Sequence, residues 1–187
     1  MMPDPLDEVI AAFQRLRPLM PKIARAGEEL KSVLARGGKI LATGNGGSAS
    51  CANHLVEELV GRFDRDRPSL AAVSLCADGS VLTCIANDYG FEHIFARQVE
   101  GLGRKGDALI VFSTSGNSKN VVAALRTARA RNVRTVALLG RDGGLSQGLA
   151  DHEIIVPDES TARIQEVHTF ILHCWLVQLE SDISRAS

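Results

Sequence analysis

Apolar residues recur at helical spacing between positions 6 and 36 (Val9, Ile10, Phe13 and Leu16, then Ile23, Leu30, Val33 and Leu34), and Pro18 and Pro21 interrupt the run. This pattern predicts two helices forming an N-terminal arm over residues 1–36. From Lys39 onward the pattern changes. Short apolar runs (KILAT, LAAVSL, ALIVF, TVALL and EIIVP) are each followed by a turn, with helical periods between them. Runs this short, apolar on both faces and separated by helices, predict five parallel strands joined by right-handed crossovers. The expected fold is a three-layer α/β/α sandwich over residues 37–187. A last helix is expected from about Thr161 to Leu179, carrying Ile164, Val167, Phe170, Ile171, Leu172, Trp175, Leu176 and Leu179. Gly143-Gly144 after the fourth run and Pro157 after the fifth read as ordinary punctuation.

Two of the turns have the composition of anion sites. In an open parallel sheet, ligands lie beyond the carboxyl ends of the strands, where unpaired helix N–H groups and the helix dipole favour negative charge. The first turn is Thr43-Gly44-Asn45-Gly46-Gly47-Ser48. It follows KILAT and matches neither the GxGxxG dinucleotide pattern nor the P-loop, which argues against a nucleotide cofactor. The second is Ser113-Thr114-Ser115-Gly116-Asn117-Ser118, after ALIVF and before the helical NVVAALRTARA. Its hydroxyls and N–H groups can ring the three terminal oxygens of a phosphate. A helix N-cap with surplus serines would have the same composition. Two such turns after strands of one sheet favour the phosphate.

Composition narrows the setting. The chain has 187 residues, 45% of them apolar, enough for one sizeable core, so a single domain over 1–187 is expected. Its 21 basic and 22 acidic residues are intermixed and leave a net charge of -1, which favours neither nucleic acid nor an anionic membrane as a partner. No apolar run approaches the roughly 20 residues of a membrane span, and the N-terminus lacks the pattern of an export signal. Cys51, Cys76, Cys84 and Cys174 show no CxxC spacing. A reducing cytoplasm is expected.

The residues able to do chemistry lie on two helices. His54 and Glu58, at i and i+4, project from one helix face and can share a metal, although surface pairs with this spacing are common. Glu57 lies about 100 degrees further round and is expected to point elsewhere. On the last helix, Gln165, Glu166, His168 and His173 interrupt an apolar pattern. Helical phase aligns Glu166 with His173 and sets Gln165 about 80 degrees away.

The motifs GNGGSA, HLVEELVGR, IANDYGF, STSGNS and RIQEVHTFILH, in this order, resemble the SIS (sugar isomerase) domain family, and within it the phosphoheptose isomerases. The resemblance runs from about Gly37 to Leu179. It implies a flavodoxin-like SIS fold and an aldose-ketose isomerase that converts D-sedoheptulose 7-phosphate to D-glycero-D-manno-heptose 7-phosphate, opening bacterial heptose biosynthesis. It further implies one zinc ion per subunit, held by His54, Glu58, Gln165 and His173, with Glu58 and His173 as the acid/base pair. Sugar contacts would come from Asn45, Gly46, Gly47, Asn87, Asp88 and Gln165. Ser113, Thr114, Ser115 and Ser118 would hold the phosphate, with Ser48 and Arg62 nearby. Read without the family, Asn87-Asp88 is an exposed helix-ending turn and Arg62 a solvated charge. The resemblance also implies a cytoplasmic homotetramer with active sites at subunit boundaries. Some members carry an acidic residue where this chain has Ala162, which puts a substrate contact from that position in doubt. Relatives that only bind, such as a sugar-phosphate sensor or a regulator tethering the bacterial replication initiator, form the alternative. The regulator lacks the Glu and the last-helix His that are present here as Glu58 and His173.

Overall fold

The computed structural model describes residues 4–183. The N-terminal arm is two helices, α1 (Pro5–Leu16) and α2 (Met20–Ala35), separated by a 3-10 turn over Arg17–Leu19 that contains Pro18. Asp4 caps α1 by accepting from the Leu6 N–H, and Pro5 occupies the first turn, where a missing N–H costs nothing. Pro21 likewise falls in the first turn of α2, so the two prolines separate the helices without kinking either.

Five parallel strands follow: β1 (Ile40–Gly44), β2 (Ala72–Ser74), β3 (Ala108–Ser113), β4 (Arg134–Gly140) and β5 (His152–Val156). They are ordered β2-β1-β3-β4-β5, so the chain reverses direction across the sheet between β1 and β3. Strand residues alternate between two cores. Ile40, Ala42, Ile110, Phe112, Val136, Leu138 and Ile154 face α1, α2, α3 (Gly47–Val60) and α7 (Thr161–Ile183). Leu41, Leu109, Val111, Ala137 and Leu139 face α5 (Ala96–Leu102), α6 (Lys119–Ala130) and the buried side of α4 (Gly79–Tyr89). Burial on both faces is why the central strands read as unbroken apolar runs.

Two details depart from the sequence pattern. The LAAVSL run yields only three strand residues, none of them fully buried, because β2 is an edge with one neighbour. The crossover from β4 to β5 contains no α-helix: a short 3-10 turn, Gly144–Ser146, suffices to span the two strands. Gly143-Gly144 is correspondingly more than punctuation. The Ser146 N–H and hydroxyl both donate to the Gly116 carbonyl at 2.9 and 2.8 Å, and the Leu145 N–H donates to Asn117 Oδ1 at 3.1 Å. This loop therefore buttresses the Ser113–Ser118 turn from behind.

The last helix, α7, continues a turn beyond Leu179 to Ile183. Trp175, fully buried, anchors it to the arm by donating its indole N–H to the Ile23 carbonyl at 2.9 Å.

Candidate active site

Strand register brings the two glycine- and serine-rich turns side by side. Gly44 is paired with Phe112, so Asn45 and Ser113 follow at the same level of β1 and β3, on either side of the point where strand order reverses. That crevice is where open α/β sheets bind ligands. The first turn is tied to the helix that follows the second: Asn45 Nδ2 donates to Asn120 Oδ1, in the first turn of α6, and Asn120 Nδ2 donates to Asn45 Oδ1, both at 2.9 Å. Asn120 is 2% exposed and its Oδ1 also accepts from the Val121 N–H. Its position in the apolar stripe Ala124, Leu125, Ala128 was a readable signal, a polar residue on a buried helix face, that motif reading passes over.

The Ser113–Ser118 turn is not consumed by helix capping. Ser118 sits at the N-cap of α6 but makes no side-chain capping bond. Ser113 Oγ accepts from the Gly116 N–H at 3.1 Å, and Ser115 Oγ from the Asn117 N–H at 3.2 Å, which shapes the turn while each hydroxyl keeps its proton to donate. Gly116 has φ +64, and a Cβ there would overlap the Gly143 carbonyl, so glycine is required. In the first turn Gly46 and Gly47 are exposed, while Ser48 is buried in the first turn of α3.

His54 and Glu58 lie on one face of α3 with Nε2 and Oε1 3.5 Å apart. The His173 ring, from α7, meets His54 edge-on at 5.1 Å between centroids and also stacks on the Phe63 ring at 5.5 Å and 29°. Burial lowers the His173 pKa, His54 lowers it further, and Glu58 opposes both. Glu57 does not point away: one ligand atom each from His54, Glu57 and Glu58 lie within 4.8 Å of one another. Relative to His54, Glu57 is at i+3, a neighbouring position, and its flexible arm covers the remaining arc. Glu166, which helical phase aligns with His173, accepts from Arg163 at 2.8 Å. Gln165 instead lies over the first turn, so close that a Cβ on Gly47 would stand 2.5 Å from its Nε2.

His54, Glu57 and Glu58 form a donor set of one imidazole and two carboxylates that suits a zinc-like cation, and the His173 ring stands against His54. Other predicted contacts are not drawn in. Arg62 is exposed beyond α3, and Asn87 and Asp88 are exposed at the end of α4, where Asn87 Nδ2 donates to Asp88 Oδ1 at 2.7 Å. Among the described residues none of these three contacts His54, Glu58 or His173.

This geometry can be set beside known proteins. The SIS domain model matches residues 6–140. Phosphoheptose isomerase from Thiobacillus denitrificans is 52% identical over 159 residues, covering 83% of this chain and 81% of the relative. The chain belongs to the SIS-domain family, among the phosphoheptose isomerases. The structure of phosphoheptose isomerase GmhA from Neisseria gonorrhoeae matches with a TM-score of 0.89 at 43% identity, covering 94% of this chain and 95% of that one. The phosphoheptose isomerase from Francisella tularensis matches with a TM-score of 0.90 at 37% identity over 94% of each chain. Membership of the phosphoheptose isomerases makes the chain an aldose-ketose isomerase. Among its described residues no helix is long and apolar enough to cross a membrane.

Proposed function

We propose that the enzyme interconverts D-sedoheptulose 7-phosphate and D-glycero-D-manno-heptose 7-phosphate, with the whole chain acting as one domain. The observation that carries this reading is the meeting of His54, Glu58 and His173, in a chain whose serine turn keeps its N-cap hydroxyl free of any capping bond.

Moving a carbonyl between adjacent carbons requires a base and an acid. Glu58, whose Oε1 faces His54, takes the proton from the carbon beside the ketone. The electron pair left behind forms the carbon–carbon double bond of an enediol(ate). His173 delivers a proton to the former carbonyl oxygen and accepts one from the neighbouring hydroxyl, and Glu58 returns its proton to the second carbon. The lowered His173 pKa suits this role, since a ring that is neutral near pH 7 can accept as well as donate. His54, Glu58, Gln165 and His173 would hold one zinc ion, which when bound supplies Lewis-acid stabilisation of the developing oxyanion. Asn45, Gly46, Gly47, Asn87, Asp88 and Gln165 contact the sugar. Ser113, Thr114, Ser115 and Ser118, with the α6 N-terminus, hold the phosphate, aided by Ser48 and Arg62. This distant grip binds ground and transition states alike and so serves mainly to place the reacting carbons.

The four unpaired cysteines suit a reducing cytoplasm. We further propose a homotetramer, for which the exposed apolar residues of α1 and α7 offer contact surface.

The test is incubation with sedoheptulose 7-phosphate, with and without chelator, and detection of the aldose. Product that disappears on metal removal and returns with zinc supports the full reading. Absence of product in either condition returns the chain to the binding proteins of its family. Glu58→Gln should abolish turnover while leaving substrate binding measurable by calorimetry, and a near-normal rate would sink the assignment of the base.

A further inference from the structure

At the C-terminal end of α3 lies an ion pair that the proposed reaction does not use. Arg67 and Glu180 have side chains only 1% and 5% exposed. The Glu180 carboxylate, near the end of α7, accepts four bonds. Oε1 takes the Phe63 N–H and Arg67 Nε, both at 3.0 Å, and Oε2 takes the Asp64 and Arg65 N–H groups at 3.0 and 3.1 Å. The remaining guanidinium nitrogens donate to the carbonyls of Glu58 (2.6 Å) and Leu59 (2.9 Å), and more weakly to those of Pro68 and Gly61. One side chain thus satisfies carbonyls at the C-terminal end of α3 that the helix itself leaves without donors.

Burying an ion pair is a poor route to stability, because a well-packed apolar pair of similar volume serves as well or better. What apolar residues cannot do is fix three successive backbone N–H groups and a helix terminus at once. The loop so fixed presents Phe63, and the Phe63 ring stacks on His173. Burial raises the Glu180 pKa, yet the three backbone donors and Arg67 more than reverse this, so the carboxylate is held ionised in the geometry described.

We infer that Arg67 and Glu180 are positioning residues for the isomerase reaction: they lock the 61–68 loop so that Phe63 holds the His173 ring in line with Glu58, whose own helix end they cap. This rests on the catalytic roles proposed above for Glu58 and His173. Neither residue touches the turn at Ser113–Ser118, so their effect should fall on turnover rather than on the phosphate grip.

Two variants test it. Glu180→Gln places an amide NH2 where one oxygen accepted two donors. Phe63→Leu leaves the carboxylate bonds intact and removes only the ring stack. In Glu180→Gln, hydrogen exchange at the Phe63, Asp64 and Arg65 amides should accelerate at least about tenfold without global unfolding. In both variants kcat should fall roughly 10–100-fold while KM stays within about threefold. A Phe63→Leu enzyme with wild-type kcat, or one whose loss lies in KM, overturns the inference; it decides alone if Glu180→Gln does not fold. Absence of turnover in the wild type overturns the isomerase reading itself, and the inference with it. An active wild type beside an unaffected Phe63→Leu overturns the inference only.

Discussion

Asn120 occupies a face of α6 that otherwise packs apolar residues; its Oδ1 accepts from Asn45 and from the Val121 N–H, and its Nδ2 donates to Asn45. Leucine at this position would keep the packing and release Asn45, whose amide is partly exposed and can be rehydrated. Asn120→Leu should therefore cost only about 1 kcal/mol of stability, read from urea unfolding, while KM rises because the proposed sugar contact is no longer oriented. An unchanged KM would show that Asn45 does not depend on its partner. Gly47 offers the complementary case. It has no positive φ and stands in the first turn of α3, so alanine suits the backbone and even favours the helix. Its Cβ, however, would meet the Gln165 amide at 2.5 to 2.8 Å, and that flexible side chain must move. Gly47→Ala should fold with stability within about 1 kcal/mol of the wild type yet lose roughly tenfold or more in kcat. Equal activity would remove Gln165 from the reacting centre.

At the scale of elements, α7 docks against the sheet through a fully buried His168 as well as through Trp175. His168 Nε2 lies 3.3 Å from the Leu139 carbonyl, to which it donates, and Nδ1 has no partner among the described residues. Burial lowers its pKa from 6.5 to about 4, against a small opposing effect of that hydrogen bond. The unfolded chain thus takes up a proton near pH 6.5 that the folded chain refuses until about pH 4, so stability is complete above 6.5 and is lost as pH falls through this window. The loss approaches about 3 kcal/mol at the lower end. Asp107 and Glu180, with lowered pKa values, add their own loss only below the ordinary carboxylate values of 3.8 and 4.5. Urea unfolding at pH 7.5, 6 and 5 should show the decline, and His168→Leu should flatten most of it. A slope unchanged in that variant would assign the effect elsewhere. Elements such as β1, β3, β4 and α7 were legible in the sequence because burial on a fixed period leaves a pattern of apolar residues. The site was legible where a turn carries its own chemistry, as at Ser113–Ser118. Helical phase alone misjudged Glu57, since a long side chain reaches across the arc, and it did not foresee that Arg163 engages Glu166. Arg67 and Glu180 left no signal at all: their bond joins residues 113 apart, and a charge in a loop looks solvated until the fold closes over it.

At the scale of the molecule, an apolar band is exposed along the side where α1 and α7 run together. Leu6, Ile10 and Phe170 are between 36% and 64% exposed, and Phe13 packs edge-on against Phe170 at 5.2 Å. Apolar residues gathered on two adjacent helices are what an interface between copies requires. The proposed homotetramer then predicts a species about four times the 20.0 kDa chain mass in sedimentation equilibrium. Ile10→Asp, which puts a charge into that band on a helix face needing no change of backbone, should shift the population toward smaller species with little effect on the fold of the single chain. Activity supplies the second half of the argument. His54, Glu58 and His173 come together within one chain, but Arg62, Asn87 and Asp88 are exposed and, among the described residues, share no hydrogen bond or ion pair with them. If a neighbouring subunit brings such residues to each site, specific activity must fall on dilution and in Ile10→Asp in step with dissociation. A fully active monomer would show instead that each chain carries a complete site, and that the exposed band serves assembly alone.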